Sequence, residues 1–98
     1  MAQLTGRHRL LLYDYVEDVV ARRAPHREAH LAYIGEWTAD GRVLMGGALG
    51  DPPHGAAILF TCPPEDVAAF VAGDPYVAAG LVTSWRVEPW NVVVGAEV

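Results

Sequence analysis

Two apolar runs, RVLMGGAL (residues 42–49) and AAILFTC (56–62), stand on either side of GDPPHG (50–55). Proline and glycine in so short a span make a loop, and a loop this short joins strands that run antiparallel. A chain with such a pair at its centre has few folds open to it, and the flanking segments decide among them. Upstream, HRLLLYDYV (8–16) is rich in Leu, Tyr and Val, with a continuous apolar start that reads as a central strand. Downstream, LVTSWRVEPWNVVV (81–94) reads as a closing strand with a bend at Pro89.

Helical periods fill the two gaps. EDVVARRAPHR is polar and mixed, and reads as a connection into a helix over residues 25–39. Pro25 suits the first turn, where its missing N–H costs nothing. His30, Ile34 and Trp37 then share one stripe with Tyr33 at its edge, and Asp40-Gly41 ends the helix. PPEDVAAFVAG (63–73) gives the second helix: Pro64 opens it, Glu65 and Asp66 suit its positive end, and Gly73 closes it. Its apolar face is Val67, Phe70 and Val71, and DPYVAAG adds one further turn. The order β-α-β-β-α-β predicts an α+β, ferredoxin-like domain over residues 1–98, a four-stranded antiparallel sheet with both helices on one face. A chain of 98 residues buries only a modest core, and the other sheet face needs cover. A homodimer packed sheet to sheet is therefore expected.

Charge and cysteine usage exclude several classes. The net charge is −5, and the one basic cluster, Arg22, Arg23, His26 and Arg27, is diluted by Glu17, Asp18 and Glu28. Nucleic-acid binding is not expected. Cys62, the single cysteine, ends an apolar run and reads as a buried inert thiol in a reducing, cytoplasmic setting. LLLYDYVEDVV is interrupted by acids and is no signal peptide. No apolar stretch approaches the ~20 residues that span a bilayer, so no membrane association is expected.

Histidine is the first place to look for acid–base chemistry. His8, beside Arg7 and Arg9, reads as exposed, and His54 lies in the hairpin loop as a solvated group or a lid. His26 and His30 share a helix face, but there is no third ligand at fixed spacing and Arg27 between them repels a cation, so no metal is expected. His30 lies on the inward stripe. It is either a core histidine satisfied by one hydrogen bond or a working imidazole poised by a carboxylate. Asp74 is the candidate carboxylate, although Asp-Pro with Gly80 beyond also reads as an N-cap, first-turn proline and helix stop. Both roles are compatible if one oxygen caps while the other orients the histidine. The Gly46-Gly47 pair weakens its strand unless something approaches closely there. Thr83 and Ser84 read as sheet residues. No phosphate loop, dinucleotide fingerprint or nucleophile elbow is present, and no cofactor is expected.

The runs REAHL (27–31), GRVLMGGAL (41–49), DPYVAAGL (74–81) and VEPW (87–90), in this order and spacing, resemble the YciI-like (YCII-related) family. The resemblance implies a ferredoxin-like domain that dimerises into an α/β barrel. It also implies a catalytic His–Asp dyad, carried here by His30 and Asp74, with Arg27 as the arginine that often precedes the histidine. The family is similar in fold to muconolactone isomerase, and one branch removes chloride from a chlorinated hydroxyhydroquinone. Ala48 stands where members commonly carry a proline. The expected function is cofactor-free acid–base chemistry on a small cyclic or aromatic molecule, as an isomerase or a lyase. Arg27 and Tyr76 are candidate substrate-binding residues, with a solvated helix position as the plainer reading of Arg27. Trp37 lines either the pocket or the core. The alternative is a non-catalytic module that binds a small metabolite or serves as an accessory subunit.

Overall fold

A computed structural model of the protein describes residues 8–95. The elements are β1 (His8–Tyr15), α1 (Val19–Arg23), a 3-10 turn (Ala24–His26), α2 (Arg27–Ala39), β2 (Val43–Leu49), β3 (Gly55–Phe60), α3 (Pro64–Gly73), α4 (Pro75–Ala78) and β4 (Val82–Trp90). The four strands form one antiparallel sheet in the order β2-β3-β1-β4. This is the ferredoxin-like arrangement, with β1 central as its apolar start indicates.

Strand alternation sorts the side chains onto two faces. Leu11, Tyr13, Ala56, Ile58, Phe60 and Val43 are buried on the helix side with Trp37 of α2 and Val67, Phe70 and Val71 of α3. Trp37, Phe60 and Phe70 meet edge to face, with centroids 5.1 to 6.1 Å apart. Such pairs add ~0.5–1.5 kcal/mol each beyond their burial. Trp37 belongs to this core, with the Arg42 guanidinium stacked over its ring at 3.6 Å. Gly73 closes α3 where a Cβ would strike the Tyr33 hydroxyl, which donates to the Phe70 carbonyl. Gly41, at φ 85°, takes the left-handed position that ends α2.

Three expectations change. The segment read as a plain connection contains α1, because Val19 buries fully against Tyr76 and Leu81 and so organises its own turn. His8 is buried, paired opposite Trp90 at the start of β1. The irregularity of the last strand lies at Thr83, where the β1/β4 register shifts, while Pro89 sits within the ladder opposite Arg9. Proline is tolerated there because β4 is an edge strand. Thr83 and Ser84 hold Asp14 by hydrogen bonds, as sheet residues. Cys62 is buried, and burial pushes its thiol pKa up, which leaves it inert. Among the described residues no helix is long and apolar enough to cross a membrane.

Candidate active site

Asp74 sits where α3 stops and α4 starts. The proline that follows disfavours helical backbone at residue 74, and the residue is extended (φ −72°, ψ 122°). The chain therefore turns, and the side chain swings in towards the sheet. Asp74 is completely buried. A buried carboxylate is costly unless every lone pair finds a donor. Three donors converge on it. Oδ1 accepts the Tyr76 backbone N–H at 2.9 Å and pairs with His30 Nδ1 at 2.7 Å. Oδ2 accepts the Tyr13 hydroxyl at 2.7 Å.

Cap and dyad thus coexist, but not as a division of oxygens. One oxygen serves both the cap and the histidine, and the second is taken by β1. The geometry explains why: Tyr76 N–H and His30 approach from the same side, α4 and α2, while the sheet lies opposite. Tyr13 was not singled out by sequence, because a tyrosine on a strand's buried face reads as core. Burial and the Asp74 carboxylate together raise its hydroxyl pKa, so it acts as a donor.

The His30 ring is fixed on two sides. Nδ1 is committed to Asp74, which leaves Nε2 as the free lone pair of the neutral ring. The Tyr76 ring stacks on the imidazole at 3.8 Å and 6°, which blocks rotation of the ring. Among the described residues no buried side-chain nitrogen or oxygen lacks a partner, and Nε2 makes no hydrogen bond within the protein. Nε2 therefore opens on the cavity that His30 lines. This cavity holds about 270 Å³. Arg23, Arg27, His30, Leu31 and Ile34 form one wall, and Gly46, Gly47, Ala48, Ala56 and Ile58 face them, with Tyr15 and Tyr76 between. Burial pushes the Tyr15 hydroxyl pKa up to about 12.

The expected site residues are therefore distributed unevenly. His30 and Asp74 meet, and Arg27 and Tyr76 line the cavity beside them. His54 is exposed in its loop, His26 ends the 3-10 turn, and neither lines this cavity. Among the described residues no three potential ligands converge on a metal position. Arg23 and Tyr15 join the cavity without having been expected. The helix-face spacing from Arg23 to Arg27 was the signal for the first, hidden by reading α1 as irregular chain.

Fold and site together define a ferredoxin-like α+β domain with a buried His–Asp pair beside an open cavity. The chain belongs to the YCII-related domain family, whose model matches residues 8–91. Among solved structures it is similar to the 5-chloro-2-hydroxyhydroquinone dehydrochlorinase TftG of Burkholderia phenoliruptrix AC1100, in complex with 2,5-dihydroxybenzoquinone. Identity is 25%, the match covers 86% of this chain and 93% of that one, and the TM-score is 0.73. No curated protein matches the chain.

Proposed function

We propose that the protein is a cofactor-free acid–base enzyme acting on a small cyclic or aromatic molecule. The observation that carries this reading is a histidine with one nitrogen committed to a buried carboxylate and the other facing a cavity. In the proposed step, His30 Nε2 removes a proton from a ring hydroxyl or from a carbon beside a carbonyl. The electron pair left behind forms a carbonyl or a ring double bond. If that proton returns to another carbon, the result is isomerisation. If it returns to the carbon bearing the leaving group, that carbon becomes sp3, and removal of a second hydroxyl proton then forms a second carbonyl and expels the leaving group as its anion, giving elimination. Asp74 accepts from Nδ1 throughout and stabilises the imidazolium; Tyr76 holds the ring plane, and Arg27 and Tyr76 contact the substrate. The similarity to a dehydrochlorinase favours elimination. Acid–base help of this kind supplies roughly 10²–10⁴-fold. Assaying chloride release from chlorinated hydroxyhydroquinones tests it with His30→Ala and Asp74→Asn. Both variants should lose activity by that factor; full activity in both would remove the His30–Asp74 dyad, and no activity in the unaltered protein would favour the binding-module reading.

We also infer that the active form is a homodimer joined through the open face of the sheet. Leu10, Met45, Leu49, Leu59 and Trp90 line an apolar groove of about 410 Å³ there, and Met45 and Trp90 are 57% and 45% exposed. Exposed apolar area of this kind marks an interaction surface. Analytical ultracentrifugation should give twice the chain mass, and a monomer at high micromolar concentration would remove the inference.

A further inference from the structure

Arg23, Arg27, His30, Leu31 and Ile34 follow one another at helical spacing and all line the cavity. The 3-10 turn between α1 and α2 does not break this face; it carries the stripe from one helix to the next. The stripe is graded, with two guanidiniums at its start, the imidazole in the middle and hydrocarbon at its end. Among the described residues that line the cavity there is no aspartate or glutamate to answer those guanidiniums. The chain has 12 acids and seven arginines, and three of the others pair with carboxylates: Arg22 with Asp18, Arg42 with Asp40, Arg86 with Glu88. Among the described residues Arg23 and Arg27 have no such ion pair. Their field nevertheless reaches inward, since both oppose the effect of burial on the Tyr15 and Tyr76 hydroxyls. Across the cavity, Gly46, Gly47, Ala48, Ala56 and Ile58 offer only backbone and small apolar groups, a wall that suits the face of a ring.

We infer that Arg23 and Arg27 form a two-guanidinium clamp for the anionic group of a flat organic substrate, a carboxylate or an ionised ring hydroxyl. The proposal rests on the acid–base reading of His30 for the position of the reacting atom. Arg27 and His30 are three residues apart, slightly less than one helical turn. The clamp therefore grips one edge of the ring while Nε2 meets a proton about a turn away. Guanidinium forks match paired oxygens, so a carboxylate or two adjacent ring oxygens is the favoured partner.

Isothermal titration calorimetry with 2,5-dihydroxybenzoate and 1,4-dihydroxybenzene tests the clamp, since the two share a ring and differ in the carboxylate. The carboxylate should bind at least about tenfold more tightly, a difference well resolved by calorimetry. Arg23→Met and Arg27→Met should each weaken it by roughly three- to tenfold, and Arg27→Lys should recover only part of the loss. The double variant should bind both rings equally, with an unchanged thermal midpoint showing that it folds. Added salt should weaken only the carboxylate, because both arginines are solvent-accessible. The clamp is overturned by equal binding of both rings to the wild type, by a preference that survives in the double variant, or by no carboxylate binding up to about 10 mM, a Kd worth less than ~3 kcal/mol. The two readings separate through His30→Gln. Full turnover in that variant with an intact charge preference breaks only the acid–base reading. A missing preference with His30-dependent turnover breaks only the clamp.

Discussion

The helix side and the open side of the sheet share a wall and little else. Gly46, Gly47 and Ala48 border both the His30 cavity and the apolar groove. On one side the lining includes guanidiniums, an imidazole and tyrosines, with His30 fixed by a hydrogen bond; on the other it is apolar, with Met45, Leu49 and Trp90 exposed. The difference teaches that one strand borders two chemically distinct surfaces. The helix side must bury a carboxylate and keep one imidazole nitrogen open. The outer side carries an apolar groove beside polar pairs, Arg86 with Glu88 and Asp14 with Ser84.

The sharpest test of this division exchanges defects between the sides. His30→Gln should reduce turnover by roughly 10²–10⁴-fold while leaving self-association untouched. Met45→Arg should do the reverse, weakening association by about 3 kcal/mol or more, because it buries a charge without a partner. If Met45→Arg leaves the sedimentation coefficient unchanged, the open face is not the dimer surface. Tyr13→Phe should cost about 1–3 kcal/mol in urea unfolding, because Asp74 Oδ2 loses its donor inside the protein. It leaves His30 in place, so activity should fall less than in His30→Gln.

The alkaline limb of stability distinguishes the sides further. Burial raises the pKa of Tyr15 to about 12, and that of Tyr13 in the same direction. In the unfolded chain tyrosine ionises near 10. The folded protein therefore holds these protons where the unfolded chain has lost them. The contribution of Tyr15 is complete below about pH 10 and is lost as pH rises through about 12, whereas Tyr13 keeps its proton beyond that window. Urea midpoints measured across that window should fall for the wild type and fall less for Tyr15→Phe.

The smallest effect concerns the shared wall. A Cβ at Gly46 would approach Ile58 at 3.2 Å and Ile34 at 3.4 Å, whereas one at Gly47 meets nothing within 4 Å. Gly47→Ala should be neutral or stabilise the monomer by up to ~0.5–1 kcal/mol, and Gly46→Ala should not. Equal thermal midpoints for the two variants would show that the faces are not distinguished there.

How much of this was legible depended on the range of the signal. The β-α-β-β-α-β order, the inward stripe of α2 and the Asp-Pro turn are local patterns, and they located His30 and Asp74. Tyr13 was not legible, because its hydroxyl meets Asp74 across 61 residues and nothing in a strand's alternation says what lies opposite. Arg23 was missed because α1 owes its helix to the burial of Val19, a tertiary effect that polar, Pro-punctuated sequence hides. His8 was misjudged for a similar reason: charged neighbours suggested exposure, and strand pairing decided otherwise. The pairing of both Tyr76 N–H and His30 with one oxygen also depends on how α2 and α4 approach, which spacing cannot give.

The convergence on Asp74 has a kinetic consequence. Its partners lie in β1, α2 and α4, with separations of 61 and 44 residues for the two side-chain bonds. Contacts that close such long loops are slow to form, because the entropy of closure must be lost before they stabilise anything. A partly folded chain that keeps its helices but has not docked β1 therefore has no completed hydrogen-bond set around Asp74. Recovery of ligand binding after dilution from denaturant would then follow global folding and lag any early gain of helix, making the site a built-in reporter of the finished fold.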